Sequence, residues 1–129
     1  MKIAIVSGML PAGHYTQNLA LGLAKTKKIK LLIYTDKNRK NLKIKNRGAI
    51  KLVWTKSIWY AIQIVKQIII DKPDIVHFQH EINMFGGLIT ALIFPILLLL
   101  SKLTGVTIVT TIHATVSPDQ INSHFVKTF

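Results

Sequence analysis

Asp74-Ile75-Val76-His77-Phe78-Gln79-His80-Glu81 is the stretch that decides the fold. Pro73 stands before it and cannot continue a helix, so it parts this stretch from the helical pattern upstream. Ile75, Val76 and Phe78 are β-branched or aromatic, the types that suit a strand. The apolar residues do not alternate cleanly, as expected of a strand covered on both faces. Gln79, His80 and Glu81 then gather at the C-terminal end. In open α/β sheets, ligands bind outside the carboxyl ends of the strands. A second run, Val106 to Thr111, ends in the same way, in Ile112-His113. Two strands that each deliver a histidine to one edge of one sheet are the main functional lead.

Upstream, Lys2 to Ser7 is a short apolar run bounded by turn residues, a buried first strand. Gly8 to Gly13 is a loop by its Gly and Pro content. A helix is expected from about Tyr15 to Lys25, with Leu19, Leu23 and the neighbouring alanines buried. Ile29 to Thr35 and Ala49 to Trp54 read as strands, separated by a basic loop from Asp36 to Gly48. Ser57 can cap a helix running to about Ile70, with a buried stripe of Ile58, Ala61, Ile62, Val65, Ile68 and Ile69. Downstream of the second histidine strand, Ser117-Pro118 resembles a helix start. Strands alternating with helices predict an α/β domain with a parallel, doubly wound sheet and helices on both faces.

The chain has 129 residues, enough for a single domain with a sizeable core. Half of the residues are hydrophobic, which argues against disorder. No cysteine is present, so disulfides and thiolate metal sites are excluded. The formal charge is +12, and twelve of the seventeen Lys and Arg lie between Lys25 and Lys56. Two readings stand: a solvated basic surface, or attraction to anionic lipid, phosphorylated ligand or nucleic acid. Nucleic acid is disfavoured, because few aromatics interleave with the basic residues and no reader motif is present.

Ile82 to Ser101 is twenty residues without a charge, about the length that spans a bilayer as a helix. Gly86-Gly87 and Pro95 interrupt it. If the Asp74 and Val106 strands are parallel neighbours, the segment must be the crossover that joins them on one side of the sheet. The crossover reading is therefore preferred, with an outer surface unusually apolar for one that faces water.

His113 ends a buried strand, where it could exchange a hydrogen bond with a ligand hydroxyl. Gln79 and His80 stand at the neighbouring strand's end, with Glu81 beside them. His77 points to the opposite face from His80 and reads as structural. Gly8, Ala12 and Gly13 before a helix suit either a tight turn or a phosphate held by free backbone N–H groups. His14, His80 and His113 could in principle hold zinc, but no ligand-dense motif supports a metal.

These residues resemble a family. Lys2-Ile3-Ala4-Ile5-Val6-Ser7 with Pro11-Ala12-Gly13 resembles the first strand and glycine loop of family 4 glycosyltransferases. Pro73 through Glu81, Met84-Phe85-Gly86-Gly87 and Val109-Thr110-Thr111-Ile112-His113 look like three further stretches of that family. The resemblance implies the Rossmann-like N-terminal, acceptor-side domain of a GT-B enzyme, with the C-terminal donor domain absent. It implies sugar transfer with retention of configuration from a nucleotide-sugar, with no metal or other cofactor. It maps the donor-phosphate loop to Ala12, Gly13 and His14, acceptor contacts to Gln79, His80 and Glu81, and the catalytic contact to His113. Ala12 stands in place of the first of the family's two loop glycines, and the family's basic pair and Glu-x7-Glu motif have no counterpart. The expected partners are a glycan or glycolipid acceptor, an anionic membrane surface on the cytoplasmic side, and another chain carrying the donor domain. Alone, the chain is expected not to transfer sugar.

Overall fold

The computed structural model describes residues 1–8, 13–38, 48–81 and 84–113. The described elements are β1 (Lys2–Val6), α1 (Gly13–Ala24), β2 (Lys30–Asp36), β3 (Gly48–Trp54), α2 (Tyr60–Asp71), β4 (Ile75–His80), α3 (Leu88–Leu92), α4 (Phe94–Leu103) and β5 (Thr107–Ile112). The strands form one sheet in the order β3-β2-β1-β4-β5. Every pairing is parallel. The fold is α/β, a Rossmann-like doubly wound sheet, as the alternation of elements predicts.

Side-chain alternation divides each central strand between two layers. Ala4 and Val6, Leu32 and Tyr34, and Val76 and Phe78 join one core with Tyr60, Ile64, Ile68, Phe94 and Leu97. Ile3 and Ile5, Leu31 and Ile33 join the other with Ala20, and Ile75 packs against it. So α2, α3 and α4 cover one face, and α1 covers the other.

The uncharged segment is the crossover. It folds as α3 and α4, which carry the chain from β4 to its parallel neighbour β5. Among the described residues, no helix is long and apolar enough to cross a membrane. Gly105 closes the turn from α4 into β5 with a left-handed φ of 83°.

Three details differ from the sequence reading. Ser57 does not cap α2. Its Oγ accepts from the Trp59 N–H at 3.4 Å and lies 3.2 Å from Thr55 Oγ1, and the helix begins at Tyr60. The buried stripe of α2 is Tyr60, Ala61, Ile64 and Ile68, while Ile58, Ile62 and Ile69 are exposed. Both stripes have helical spacing, so periodicity could not choose between them, and tertiary packing did. The Val106 strand is also less covered than its composition suggests: Val109 and Ile112 are exposed. Strand β5 ends the row of described strands, so it has a neighbour on one side only. The proposed helix at Ser117 and most of the basic loop lie outside the described residues.

Below the sheet, the end of α2 is tied to three strands. The Asp71 carboxylate accepts from Tyr34 Oη at 2.7 Å and Gln67 Nε2 at 2.9 Å, and pairs with Lys51 Nζ at 2.5 Å. Lys2 Nζ donates to the Asp71 carbonyl at 2.6 Å. Burial alone would raise the Asp71 pKa, but donation from Lys51, Gln67 and Tyr34 outweighs it and holds the carboxyl below its ordinary 3.8. The same burial and carboxylate push the Tyr34 phenol far above its ordinary range. A carboxylate with a depressed folded pKa gives stability that is complete above 3.8 and lost as pH falls through the depressed value. Asp71→Asn is therefore expected to cost roughly 1–3 kcal/mol at neutral pH and to flatten part of the acid limb of stability. Urea unfolding at a series of pH values checks this. An acid limb identical to that of the unsubstituted chain would sink the assignment.

Candidate functional site

The strand order reverses between β1 and β4. From β1 the chain moves to β2 on one side, and it later returns to β4 on the other. Such switch points open a crevice at the carboxyl ends of the strands. Here that position is framed by the end of β1, the first turns of α1, and the ends of β4 and β5.

A buried polar chain crosses it. Ser7 Oγ lies 2.8 Å from Thr16 Oγ1, and Thr16 Oγ1 donates to Gln79 Oε1. A hydroxyl has one proton to give. If Thr16 spends its proton on Gln79, Ser7 must donate to Thr16. Among the described residues, Gln79 Nε2 is then buried with no partner. Turning the amide over would instead leave its oxygen unspent, so one end of Gln79 stays available in either orientation. A buried amide end without a partner costs free energy that a ligand could recover.

Beside this chain lie two histidines. Alternation along β4 and its register with β5 sort His77, Gln79 and Thr111 to the α1 side, and His113 two residues on follows them. His77 Nε2 lies 2.8 Å from Thr111 Oγ1. The His113 N–H donates to the His80 carbonyl at 2.8 Å, extending the β4–β5 ladder by one step. Its ring meets Tyr15 of α1 edge to face, with centroids 4.8 Å apart. Burial and then the His113 charge hold the His77 imidazole below its ordinary 6.5. The result is a wall of hydroxyl, amide and imidazole groups at the positive end of α1. It can exchange hydrogen bonds with a hydroxyl-rich or phosphorylated ligand.

His80 takes no part in this wall. It points through the other face, stacked on Phe94 with centroids 4.0 Å apart and planes 14° from parallel. Its Nδ1 is buried without a partner among the described residues, and burial lowers its pKa. Gln79 and His80 thus face opposite layers, and Glu81 is exposed beyond the end of β4. Gly13 and His14 open α1, while Ala12 lies outside the described residues. Among the described residues, no three His, Asp or Glu side chains cluster as metal ligands would.

Sequence reasoning passed over Ser7, Tyr15, Thr16 and Thr111 and set His77 aside as structural. Alternation showed that His77 and Gln79 share a face. It could not show which face α1 covers, and that is what joins them to His113. Gly8 contributes by having no side chain: a Cβ there would stand 2.7 Å from Met84 Cγ, so the segment after β4 packs closely on the end of β1.

The chain matches no protein-family model, and comparison with curated proteins and with solved structures gives no match.

The coupling between the two imidazoles is measurable. His77 and His80 should both titrate below 6.5 by NMR. In the His113→Ala variant the His77 value should rise while His80 stays unchanged. Because both folded values are depressed, the unfolded chain takes up protons first, and stability should fall as pH drops below 6.5. An unchanged His77 titration in His113→Ala would rule out this electrostatic coupling.

Proposed function

We propose that this chain is the acceptor-side domain of a retaining glycosyltransferase, moving a sugar from a nucleotide-sugar to a membrane-linked or cell-envelope glycan. The observation that carries the reading is the meeting of α1 and β5, where Tyr15 packs on His113 beside Gln79 and Thr16. In the family this sequence resembles, the histidine at this strand end contacts the reacting sugar, and the loop before α1 approaches the donor phosphates. The contact between the first turn of α1 and the residue after β5 supports this reading.

The chemistry is a substitution at the anomeric carbon. The bond from that carbon to the nucleoside diphosphate breaks, and a bond to the acceptor oxygen forms on the same side. The acceptor's proton leaves with the departing phosphate. His113 hydrogen-bonds the sugar, and the Gln79 amide and α1 N-terminus orient hydroxyl and phosphate groups. The nucleotide-sugar is a substrate, and the reading needs no metal. A donor domain from another chain or segment completes the site. The reaction takes place at the cytoplasmic face of a membrane.

A second reading is a free-standing nucleotide-binding α/β domain. The switch-point position of the α1 N-terminus favours it. A non-catalytic partner subunit is a third, favoured by exposed Val109 and Ile112 on β5.

Backbone NMR shift mapping with UDP-glucose, GDP-mannose and the free diphosphates separates the first two. The sugar-transfer reading expects binding weaker than about 1 mM, with shifts at Thr16, Gln79 and His113 that His113→Ala diminishes for the sugar nucleotides. Micromolar binding of a free diphosphate would favour the second reading. Shifts that avoid these three residues would remove the sugar-transfer reading.

A further inference from the structure

The two helical layers of this sheet have very different outer surfaces. The outward positions of α1 include Gln17 and Asn18, the polar types expected against water. The opposite layer does not follow that rule. Phe94, Leu97 and Ser101 of α4 face the core, and the far side carries Ile96, Leu99 and Leu103. Leu103 is 75% exposed, and Ile89 and Leu92 of α3 are each 72% exposed. Neighbouring α2 repeats the pattern: Ile62, Ile69 and Ile70 are exposed, and Trp59 before its first turn is 61% exposed. The two helices pack against each other, so their outer sides make one surface. A helix that is apolar all round belongs inside a protein or a bilayer.

Charge says which cover fits. Lys66 stands within one turn of Ile62, Ile69 and Ile70, and Lys102 stands beside Leu103. From residue 82 to residue 113 the sequence has no acid. The exposed acids among the described residues, Asp74 and Glu81, flank β4 and lie on neither helix; Asp74 borders the groove between α2 and α4, where Lys72 stands with it. Protein interfaces are depleted in lysine at their cores. A bilayer surface favours it, because the stem lies on hydrocarbon while the ammonium meets lipid phosphate. Tryptophan is the side chain enriched at that boundary.

We propose that the outer face of α2, α3 and α4 docks on an anionic lipid bilayer, with Ile96, Leu99 and Leu103 entering the headgroup boundary and Lys66 and Lys102 meeting lipid phosphates. This rests on the surface alone and not on the sugar-transfer reading. The docking is peripheral, since no described helix can cross the bilayer.

Flotation with vesicles of phosphatidylcholine, with and without about one third phosphatidylglycerol, tests it. The unsubstituted chain should float with the anionic vesicles at least tenfold better than with the neutral ones. Trp59 emission should shift to the blue, while Trp54, already fully buried, reports little change. Leu99→Ser with Leu103→Ser should reduce flotation at least tenfold. Both residues are exposed, so circular dichroism and His77 titration should remain those of the unsubstituted chain. Lys66→Glu with Lys102→Glu should remove the preference for anionic lipid. No flotation, equal flotation with both lipids, or flotation indifferent to the leucine pair would overturn the proposal. So would a stable dimer that the leucine pair dissolves and that does not float. None of these readouts involves a sugar or a nucleotide, so failure here and failure of the sugar-transfer reading are separate results.

Discussion

The parallel pairing of β1 with β2 on one side and β4 on the other is the constraint the rest of the structure obeys. The register sets Val6 opposite both Tyr34 and Phe78, so these strands end nearly level. Parallel strands need crossovers, and crossovers lie on the faces of a sheet. Going out from β1 in both directions therefore puts α1 on one face and the later helices on the other. The crevice between the two directions is where Ser7, Thr16 and Gln79 meet. The site thus follows from strand order.

Within that frame β4 does two jobs, one on each face. Val76, Phe78 and His80 lie against the aromatic group of Phe85 and Phe94, and Ile75, His77 and Gln79 lie toward α1. A slip of one residue would exchange these sets. His77 and Gln79 would then enter an aromatic core with no partners, and Phe78 would break the chain of hydroxyls. The backbone bonds that fix the register also reach past the strands. The Asp74 N–H donates to the Lys2 carbonyl at 2.8 Å, and its carboxylate accepts from the Lys2 N–H at 2.6 Å. At the other end the His113 N–H closes on His80.

Much of this was legible in the sequence. Pro73 announced the start of β4, and the structure reaches it through Lys72 in a left-handed turn at φ 47°. All five described strands were legible to within a residue or two at each end, because short apolar runs between turn residues have few other uses. The site was legible in part. His113 and Gln79 could be named from their place at strand ends. Thr16 and Tyr15 could not, because they sit on a helix whose rotation only packing determines. The grouping of Gln79 with His80 treated neighbours in sequence as neighbours in space, which a strand does not allow.

Helix α2 shows where periodicity stops being informative. Ile58, Ile62 and Ile69 satisfy helical spacing as well as Tyr60, Ile64 and Ile68 do, and only the second set is buried. A helix with one apolar stripe tells the reader which side is in. A helix with two does not, and the sheet takes whichever side carries Tyr60, whose hydroxyl donates to the Thr90 carbonyl at 2.9 Å and whose ring stacks on Phe85. The feature that obscured the fold is therefore the one that marks the surface. Leucines and isoleucines in excess of what a five-stranded core can bury remain outside. Here most of them remain on one face, among lysines, on the side of the sheet that the polar crevice does not use.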